Sequence, residues 1–161
     1  MKLFFKTITF CFMISLFACS SSNEPYGDDT EPVEFQVYDD YSYRGPTAES
    51  DCTFFYCITS REEFDSLFFF IFDHNTNDTI PSADFLTKTI LSIVKYGNDY
   101  YEMVVKDVCL NEQTLEIKYN CELIRENMSW TAAIPVIITV DVDFDKVSFI
   151  ENDYRFRDII L

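Results

Sequence analysis

One cysteine near the start of the chain is a candidate for lipid attachment. Cys19 follows Leu16, Phe17 and Ala18 and precedes a polar run, Ser-Ser-Ser-Asn-Glu. A small residue before the cysteine suits cleavage by a signal peptidase, and the new N-terminal thiol can then carry the lipid. The pattern predicts lipid attachment at Cys19 and a signal peptide over residues 1–18.

Residues 1–18 have the character of an export signal. Lys2 and Lys6 precede an apolar run over residues 8–17, which is too short for a spanning helix of about 20 apolar residues. The segment resembles a bacterial lipoprotein signal, although Phe17 is bulkier than the residue usual at that position. The alternative is an ordinary signal peptide that is cleaved a few residues after Cys19.

The charge of the exported chain excludes some partners. Removal of residues 1–18 takes Lys2 and Lys6 from the 12 basic residues, which leaves 10 against 28 acidic ones and a formal charge of −18. Nucleic acid is excluded as a partner because phosphate binding needs positive charge. Anionic headgroups would also repel the domain, so acyl chains on Cys19 must provide the membrane attachment, and stable anchoring needs more than one chain.

Few residues could form a catalytic site. His74 is the only histidine and falls in a polar loop, which does not fix a nucleophile, a base and an orienting group. Motifs for phosphate, zinc or redox chemistry are missing from the sequence. Glu62 and Glu63 could supply a carboxylate pair for glycoside hydrolysis, but helix capping explains them as well. We expect no enzyme activity, no catalytic residue and no cofactor.

Three aspartates alternate along a predicted strand. Asp141, Asp143 and Asp145 could suggest calcium, but Lys146 and Asn152 stand where an EF-hand loop needs Gly and a carboxylate. The pattern is better explained as a solvated strand face that prevents edge pairing. We therefore predict no metal site.

Four cysteines remain in the exported domain, Cys52, Cys57, Cys109 and Cys121. An exported protein permits disulfides, and four cysteines allow three pairings. Cys52 and Cys57 in one strand would lie about 16 Å apart, beyond the ~7 Å reach of a disulfide. A bridge would join one of them to Cys109 or Cys121, or all four would be free and pack as small apolar residues.

Two short motifs allow a functional and a structural interpretation. Asp78-Thr79-Ile80 resembles a bacterial O-glycosylation pattern, so Thr79 is a possible modification site. Asp84-Phe85 after Pro81 is expected to cap a loop and fill the core, the alternative being a ligand contact.

The apolar pattern predicts a sheet with one helix. Alternation over 33–38 and an apolar run over 52–58 indicate strands, and a nearly continuous apolar run over 88–96 indicates a strand covered on both faces. Thr59 or Ser60 with Glu62 or Glu63 forms a capping box for a helix over about 60–70, whose apolar stripe is Phe64, Leu67, Phe68 and Ile71.

The second half of the domain is predicted to be β-structure throughout. Residues 101–110 and 114–123 form a hairpin, and a β-bulge near Lys106 and Asp107 keeps its apolar residues on one face. Cys121 then faces inward and Cys109 outward. Residues 131–144 close the sheet, with Pro135 at an edge or a strand start, and 146–150 and 155–161 add short strands.

These elements predict one α+β domain over residues 33–161, preceded by a flexible tether over 19–32. Its fold is mainly antiparallel, sandwich- or barrel-like, with about six to eight strands and one covering helix near 60–70.

Three segments resemble the C-terminal domain of the protease complex subunit PrcB family. They are the capped helix Ser60-Arg61-Glu62-Glu63-Phe64-Asp65-Ser66-Leu67, Pro81 followed by Asp84-Phe85, and the strand Ile90-Leu91-Ser92-Ile93. Tyr101, Met103, Val105 and Val108 are similar in spacing to the family's Gly-Tyr strand, and Ile134-Pro135-Val136-Ile137 to its late Ile-Pro strand. The match covers about residues 33–150. Where the family has Gly-Gly-Tyr, this chain has Asn98-Asp99-Tyr100-Tyr101 after Gly97.

The resemblance implies a non-catalytic exported lipoprotein that binds and stabilises a protein partner, such as a protease. It makes the turn Gly97, Asn98, Asp99, Tyr100 and Tyr101 a candidate partner-binding site. We expect the protein in the cell envelope of a Gram-negative bacterium, anchored in the outer membrane. The alternative is a glycan or small-ligand module that uses the tyrosines of residues 38–43, which could equally pack on the sheet edge.

Overall fold

The chain folds into three stacked layers. The computed structural model describes residues 30–71, 79–82 and 84–161. Within these ranges it has eleven strands and two short helices. Neither helix is long and apolar enough to cross a membrane. The predicted α+β fold with a sandwich of mainly antiparallel strands is confirmed.

The elements follow one another along the chain as β1 (Thr30–Pro32), β2 (Phe35–Tyr38), β3 (Tyr41–Tyr43), β4 (Cys52–Ile58), α1 (Arg61–Leu67), β5 (Phe68–Phe70), α2 (Asp84–Thr87), β6 (Thr89–Gly97), β7 (Tyr100–Asn111), β8 (Thr114–Arg125), β9 (Ala132–Val140), β10 (Lys146–Glu151) and β11 (Tyr154–Ile160). The outer sheet has the order β1-β7-β8-β10-β11, and the middle sheet has the order β2-β9-β6-β4. The cover layer consists of the β3–β5 pair and the two helices.

The main core lies between the outer and middle sheets. Strand β8 contributes Leu115, Ile117 and Tyr119, every second residue, because alternate side chains point to the same face. Its neighbours β7 and β10 in the outer sheet add Val108, Val147 and Phe149. Strands β6 and β9 of the middle sheet supply the facing side chains, which are Leu91, Ile93, Val136, Ile138 and Val140.

A second core fills the space between the middle sheet and the cover layer. Ile90 and Val94 of β6 point away from the main core and pack under the aromatic rings of Phe64 and Phe68. Strand β6 is therefore buried on both faces, as its nearly continuous apolar sequence predicts. Thr89–Gly97 is one residue offset from the predicted 88–96.

The predicted capping box forms, but the helix is shorter than expected. The Glu63 N–H donates to the Ser60 side chain, and a Glu63 carboxylate oxygen accepts from the Thr59 N–H at 3.3 Å. Helix α1 ends at Leu67, so the prediction of helix up to residue 70 is wrong. Phe68 has extended dihedrals, and Phe68–Phe70 pairs with β3, because β-pairing satisfies this backbone while Phe68 is buried.

The hairpin of β7 and β8 contains the predicted β-bulge. Val105 pairs with Tyr119, whereas the next paired residue, Asp107, lies opposite Lys118, so Lys106 is the extra residue. The bulge keeps Met103 and Val105 on the core face together with Val108.

Several strand details differ from the sequence predictions. Strand β1 begins at Thr30, inside the segment predicted as tether, and the short strands β1, β3 and β5 raise the number above the predicted range. Pro135 is the fourth residue of β9 and lies beyond the end of β2, so β9 is locally an edge there. Strands β8 and β10 pair in parallel.

Candidate functional site

The candidate turn lies at one end of the sandwich. The Asn98-Asp99 turn connects β6 to β7, and the same end carries residues 126–131 between β8 and β9. We call this the turn end. The opposite end, which carries the Glu112-Gln113 hairpin turn, is the hairpin end.

Gly97 is required by the close approach of Asp51. The Asn98 N–H donates to Asp51 Oδ1 at 2.9 Å. Gly97 has φ +157°, and a Cβ at this position would overlap the Asp51 carboxylate. Glycine is the residue that adopts such a backbone without strain. The contact with Asp51 therefore explains why this turn has a glycine at position 97.

Three hydrogen bonds fasten the turn to residues 126–131. The Met128 N–H donates to the Asn98 carbonyl oxygen at 2.7 Å, and the Asn127 N–H donates to Asp99 Oδ1 at 2.8 Å. The Thr131 hydroxyl donates to Asn98 Oδ1 at 3.2 Å. The two loops are therefore linked by main-chain and side-chain bonds and form a single ordered surface.

This surface carries large apolar side chains that face solvent. Trp130 is 56% exposed, Ile124 51% and Tyr100 42%. With Met128 and Arg125 they line one open cavity of about 280 Å³. A β-bulge places Ile124 between the pairs Tyr100–Arg125 and Tyr101–Leu123. We call these five side chains, Tyr100, Ile124, Arg125, Met128 and Trp130, the apolar surface.

A groove of about 420 Å³ lies on the other side of Tyr100. Residues 100–103 of β7 and 133–136 of β9 form its two walls, and residues 39–42 lie at its rim. Exposed carboxylates of Asp39 and Glu102 face this groove. Tyr100 therefore separates an apolar surface from an acidic groove.

A buried ion pair supports the turn end from inside the sandwich. Lys95 Nζ lies 2.9 and 3.1 Å from the two carboxylate oxygens of Glu151, and the side chains are 11% and 17% exposed. The Tyr119 hydroxyl donates to Glu151 Oε2 at 2.8 Å, and burial, followed by this bond, raises the Tyr119 pKa. The ring of Tyr101 lies 5.3 Å from Lys95 Nζ. Each charged group has its partner, so the cluster joins β6 to β10 as a structural element.

Of the other predicted sites, one lies outside the described residues and one is exposed. Cys19, the predicted lipid-attachment residue, falls outside the described ranges, as does His74, for which no catalytic role is expected. Thr79 is exposed and precedes Ile80, whose N–H donates to the Tyr41 hydroxyl at 3.0 Å. Its glycosylation stays a prediction.

The Asp84-Phe85 motif makes structural contacts. Asp84 Oδ2 lies 3.0 Å from Nζ of Lys88, the residue that follows α2, and the Phe85 ring packs edge-on against Phe64 at 5.3 Å between centroids. The motif thus closes α2 and fills the second core.

The aspartates of the predicted calcium pattern are surface residues. Asp141, Asp143 and Asp145 are all exposed. The described part of the chain contains no group of three side chains placed to hold a metal ion.

All four cysteines of the domain are free thiols. Cys121 packs against the main core, as predicted. Cys109 lies outside both core clusters, yet it is only 4% exposed because Glu116 lies over it, with Cys109 Sγ 4.0 Å from Glu116 Oε2. Burial raises the pKa of Cys57, Cys109 and Cys121, so these groups stay protonated and unreactive.

The tyrosines of residues 38–43 pack into the fold. Tyr41 is buried in the second core, with Tyr38 and Tyr43 against it. The hydroxyl groups of Tyr43 and Tyr56 share a hydrogen bond. Of the two alternatives for this segment, packing on the sheet is the one that the contacts support.

The sequence predictions included the turn but missed the loop between β8 and β9 that lies beside it at the turn end. Ile124, Met128 and Trp130 were assigned no function. A signal was present, because Trp130 is the only tryptophan of the chain and stands in a polar segment after a predicted strand.

No protein-family profile, curated protein or solved structure matches this chain. The PrcB resemblance therefore stays an expectation from short motifs.

Proposed function

We propose that this protein is a non-catalytic lipoprotein subunit of the cell envelope, anchored through Cys19, which binds and stabilises a protein partner, such as a protease, through the apolar surface. The observation that carries the proposal is the exposure of Trp130, Ile124 and Tyr100 around one cavity. Contiguous exposed apolar side chains mark interaction sites on soluble domains, and Trp, Tyr and Arg are the residues that dominate binding energy at interfaces.

The rigidity of the turn end supports the same proposal. The bonds from residues 127 and 128 to the Asn98-Asp99 turn hold Tyr100 and Trp130 in place before any partner arrives. Less conformational entropy is then lost on binding, which favours affinity for a given contact area.

A protein suits the cavity better than a sugar does. Sugar recognition needs several convergent polar groups beside the stacking rings. Tyr100, Ile124, Arg125, Met128 and Trp130 line the cavity almost entirely with apolar atoms, so it lacks such polar groups. An apolar side chain of a protein would fill it without leaving hydroxyl groups unpaired.

The non-catalytic part of the proposal is supported by the titratable groups. Those with a raised pKa in the described residues are tyrosines and cysteines, and burial is the first cause in each case. Burial explains these shifts by packing, whereas a catalytic site combines a shifted group with a cleft and a specific charge partner.

The test is site-specific photocrosslinking in cells. A photoreactive phenylalanine analogue replaces Trp130, or in the control Leu86, which is more exposed than Trp130 (87% against 56%) but lies on α2 in the cover layer. We expect one envelope protein to be crosslinked through position 130 and not through position 86. Trp130→Ala should weaken capture of that protein by about 30-fold or more, as for a central interface residue, while Leu86→Ala should not.

The opposite results would overturn the proposal. Equal crosslinking from positions 130 and 86, or undiminished capture by a folded Trp130→Ala variant, would rule out the apolar surface as the binding site. If no protein is crosslinked from position 130, a screen of glycans becomes the next experiment.

A further inference from the structure

The wall of the groove that β7 forms is an uncovered strand edge. Strand β1 pairs with β7 only at residues 109–111, and the Val33 N–H extends this contact to the Val108 carbonyl oxygen. Among the described residues, no strand pairs with residues 101–107 on that side. A strand edge of this kind presents backbone donors and acceptors to any extended chain that lies along it.

The protein itself already uses the same edge for strand pairing. Strand β1 runs antiparallel to β7 along the half of the edge nearest the hairpin end. A further strand along residues 101–105 would lie end to end with β1 in the same sheet. The bulge at Lys106 separates the two positions, so an added strand need not displace β1.

The opposite wall does not offer an equivalent edge. Strand β2 pairs with β9 only at residues 137–140, so residues 132–136 extend past it. Pro135 interrupts this stretch, and proline has no N–H to donate. Pro135 is itself buried, and the half-buried Ile134 lines the groove together with Met103.

The charges at the groove select the side chains of the added strand. Asp39 and Glu102 are exposed, and neither forms an ion pair with another described residue. Side chains on one face of an added strand would meet Met103 and Ile134, and those on the other face would lie near Glu102. Apolar residues that alternate with lysine or arginine match both requirements.

We propose that the groove binds an extended segment of a partner protein, in which apolar residues alternate with basic ones, as an added strand along residues 101–105 of β7. This is β-strand addition, in which main-chain hydrogen bonds provide affinity and alternate side chains provide specificity. The proposal deepens the proposed function, on which it rests, because it gives the chemistry of a second contact with the partner.

The test uses synthetic peptides and the full-length protein in detergent. The probe is a fluorescein-labelled heptapeptide of alternating lysine and valine, and its control has glutamate in place of lysine. We expect the lysine peptide to bind in a fluorescence anisotropy titration and the glutamate peptide not to. Added salt should weaken binding, since exposed charges are screened.

Two N-methylated lysine peptides test strand addition itself. One carries N-methyl groups on the valines and the other on the lysines, so that each blocks the donors of one edge of the peptide. One version should bind about tenfold more weakly or worse, because it loses main-chain hydrogen bonds, and the other should bind like the parent. The version that still binds would also show whether the added strand runs parallel or antiparallel to β7.

A charge reversal in the protein completes the test. Glu102→Lys should weaken binding of the lysine peptide by about two- to fivefold, as an exposed charge contact does, and Glu112→Lys in the hairpin turn is the matched control.

Two results would overturn strand addition by a basic segment. The first is that the lysine and glutamate peptides bind equally well, or that neither binds. The second is that the two N-methylated peptides bind equally well. Because these titrations do not involve Trp130, their failure would leave the crosslinking test of the apolar surface unaffected, and the reverse also holds.

Discussion

Replacement of Gly97 by alanine should destabilise the domain through two separable effects. The first is backbone strain, because φ +157° is nearly restricted to glycine and costs an L-residue about 1–3 kcal/mol. The second is the overlap of the new Cβ with the Asp51 carboxylate, which must turn away and release the Asn98 N–H. Loss of that bond adds about 1 kcal/mol. The free energy of unfolding should fall by about 2–4 kcal/mol, a large part of the ~5–15 kcal/mol of a typical domain.

A double-mutant cycle separates these effects. Asp51→Ala alone should cost about 1 kcal/mol, since it removes only the hydrogen bond. Gly97→Ala in the Asp51→Ala background should cost about 1 kcal/mol less than in the wild type, because the overlapping carboxylate is gone. Equilibrium urea unfolding, followed by circular dichroism, gives all four free energies. A cost below about 0.5 kcal/mol for Gly97→Ala, or strictly additive substitutions, would refute the account of this turn.

Three further predictions concern charges and thiols. Lys95→Met should cost about 3–5 kcal/mol in urea unfolding because Glu151 loses its counter-charge and keeps only the Tyr119 hydroxyl as a partner, and the double substitution with Glu151→Leu should recover part of the loss. The hydrogen bond from Lys146 holds the pKa of Asp158 below its ordinary 3.8, so this carboxylate stabilises the fold above pH 3.8 and the contribution is lost as pH falls through the lower folded value. The difference in melting temperature between wild type and Asp158→Asn should therefore be present at pH 6 and shrink as the pH falls below 3.8, and a difference that does not change with pH would exclude this ion pair as its cause. Burial raises the pKa of three of the four thiols. Iodoacetamide at pH 8 should therefore label these thiols far more slowly in the native protein than in the urea-unfolded protein, which mass spectrometry would measure.

Much of the sheet was predictable because the alternation of apolar residues along a strand shows which side chains lie on the same face. The phase slip between Val105 and Val108 indicated the bulge, and the structure has it at Lys106. The apolar run of β6 indicated burial on both faces, and both cores pack against it. Local patterns of this kind depend only on neighbours in the sequence.

The remaining features depend on contacts that are distant in the sequence. The spacing of Phe64 and Phe68 fits a helix, but Phe68 can be buried equally well as the first residue of β5. The pairing of β5 with β3 favours the extended backbone over the helical one. The parallel pairing of β8 with β10 has no local signal, since β9 passes through the other sheet between them.

The candidate site was predictable in part for the same reason. Gly97 could be identified by resemblance, whereas its steric need for glycine comes from Asp51, 46 positions earlier in the chain. The neighbouring Trp130 joins the surface only because residues 127 and 128 bond to the turn. A single sequence carries no record of such pairings.

The position of β1 limits how far the apolar surface can lie from a membrane. Thr30 pairs with Asn111, so the chain enters the fold at the hairpin end, whereas Tyr100 begins β7 at the turn end. The 12 residues of β7 separate these points by about 36 Å. If Cys19 carries a lipid, the 10 residues between Cys19 and Thr30 can add at most about 36 Å of reach. The apolar surface would then lie no more than about 72 Å from the bilayer. A partner, in the same membrane or in solvent, would have to meet the surface within that distance.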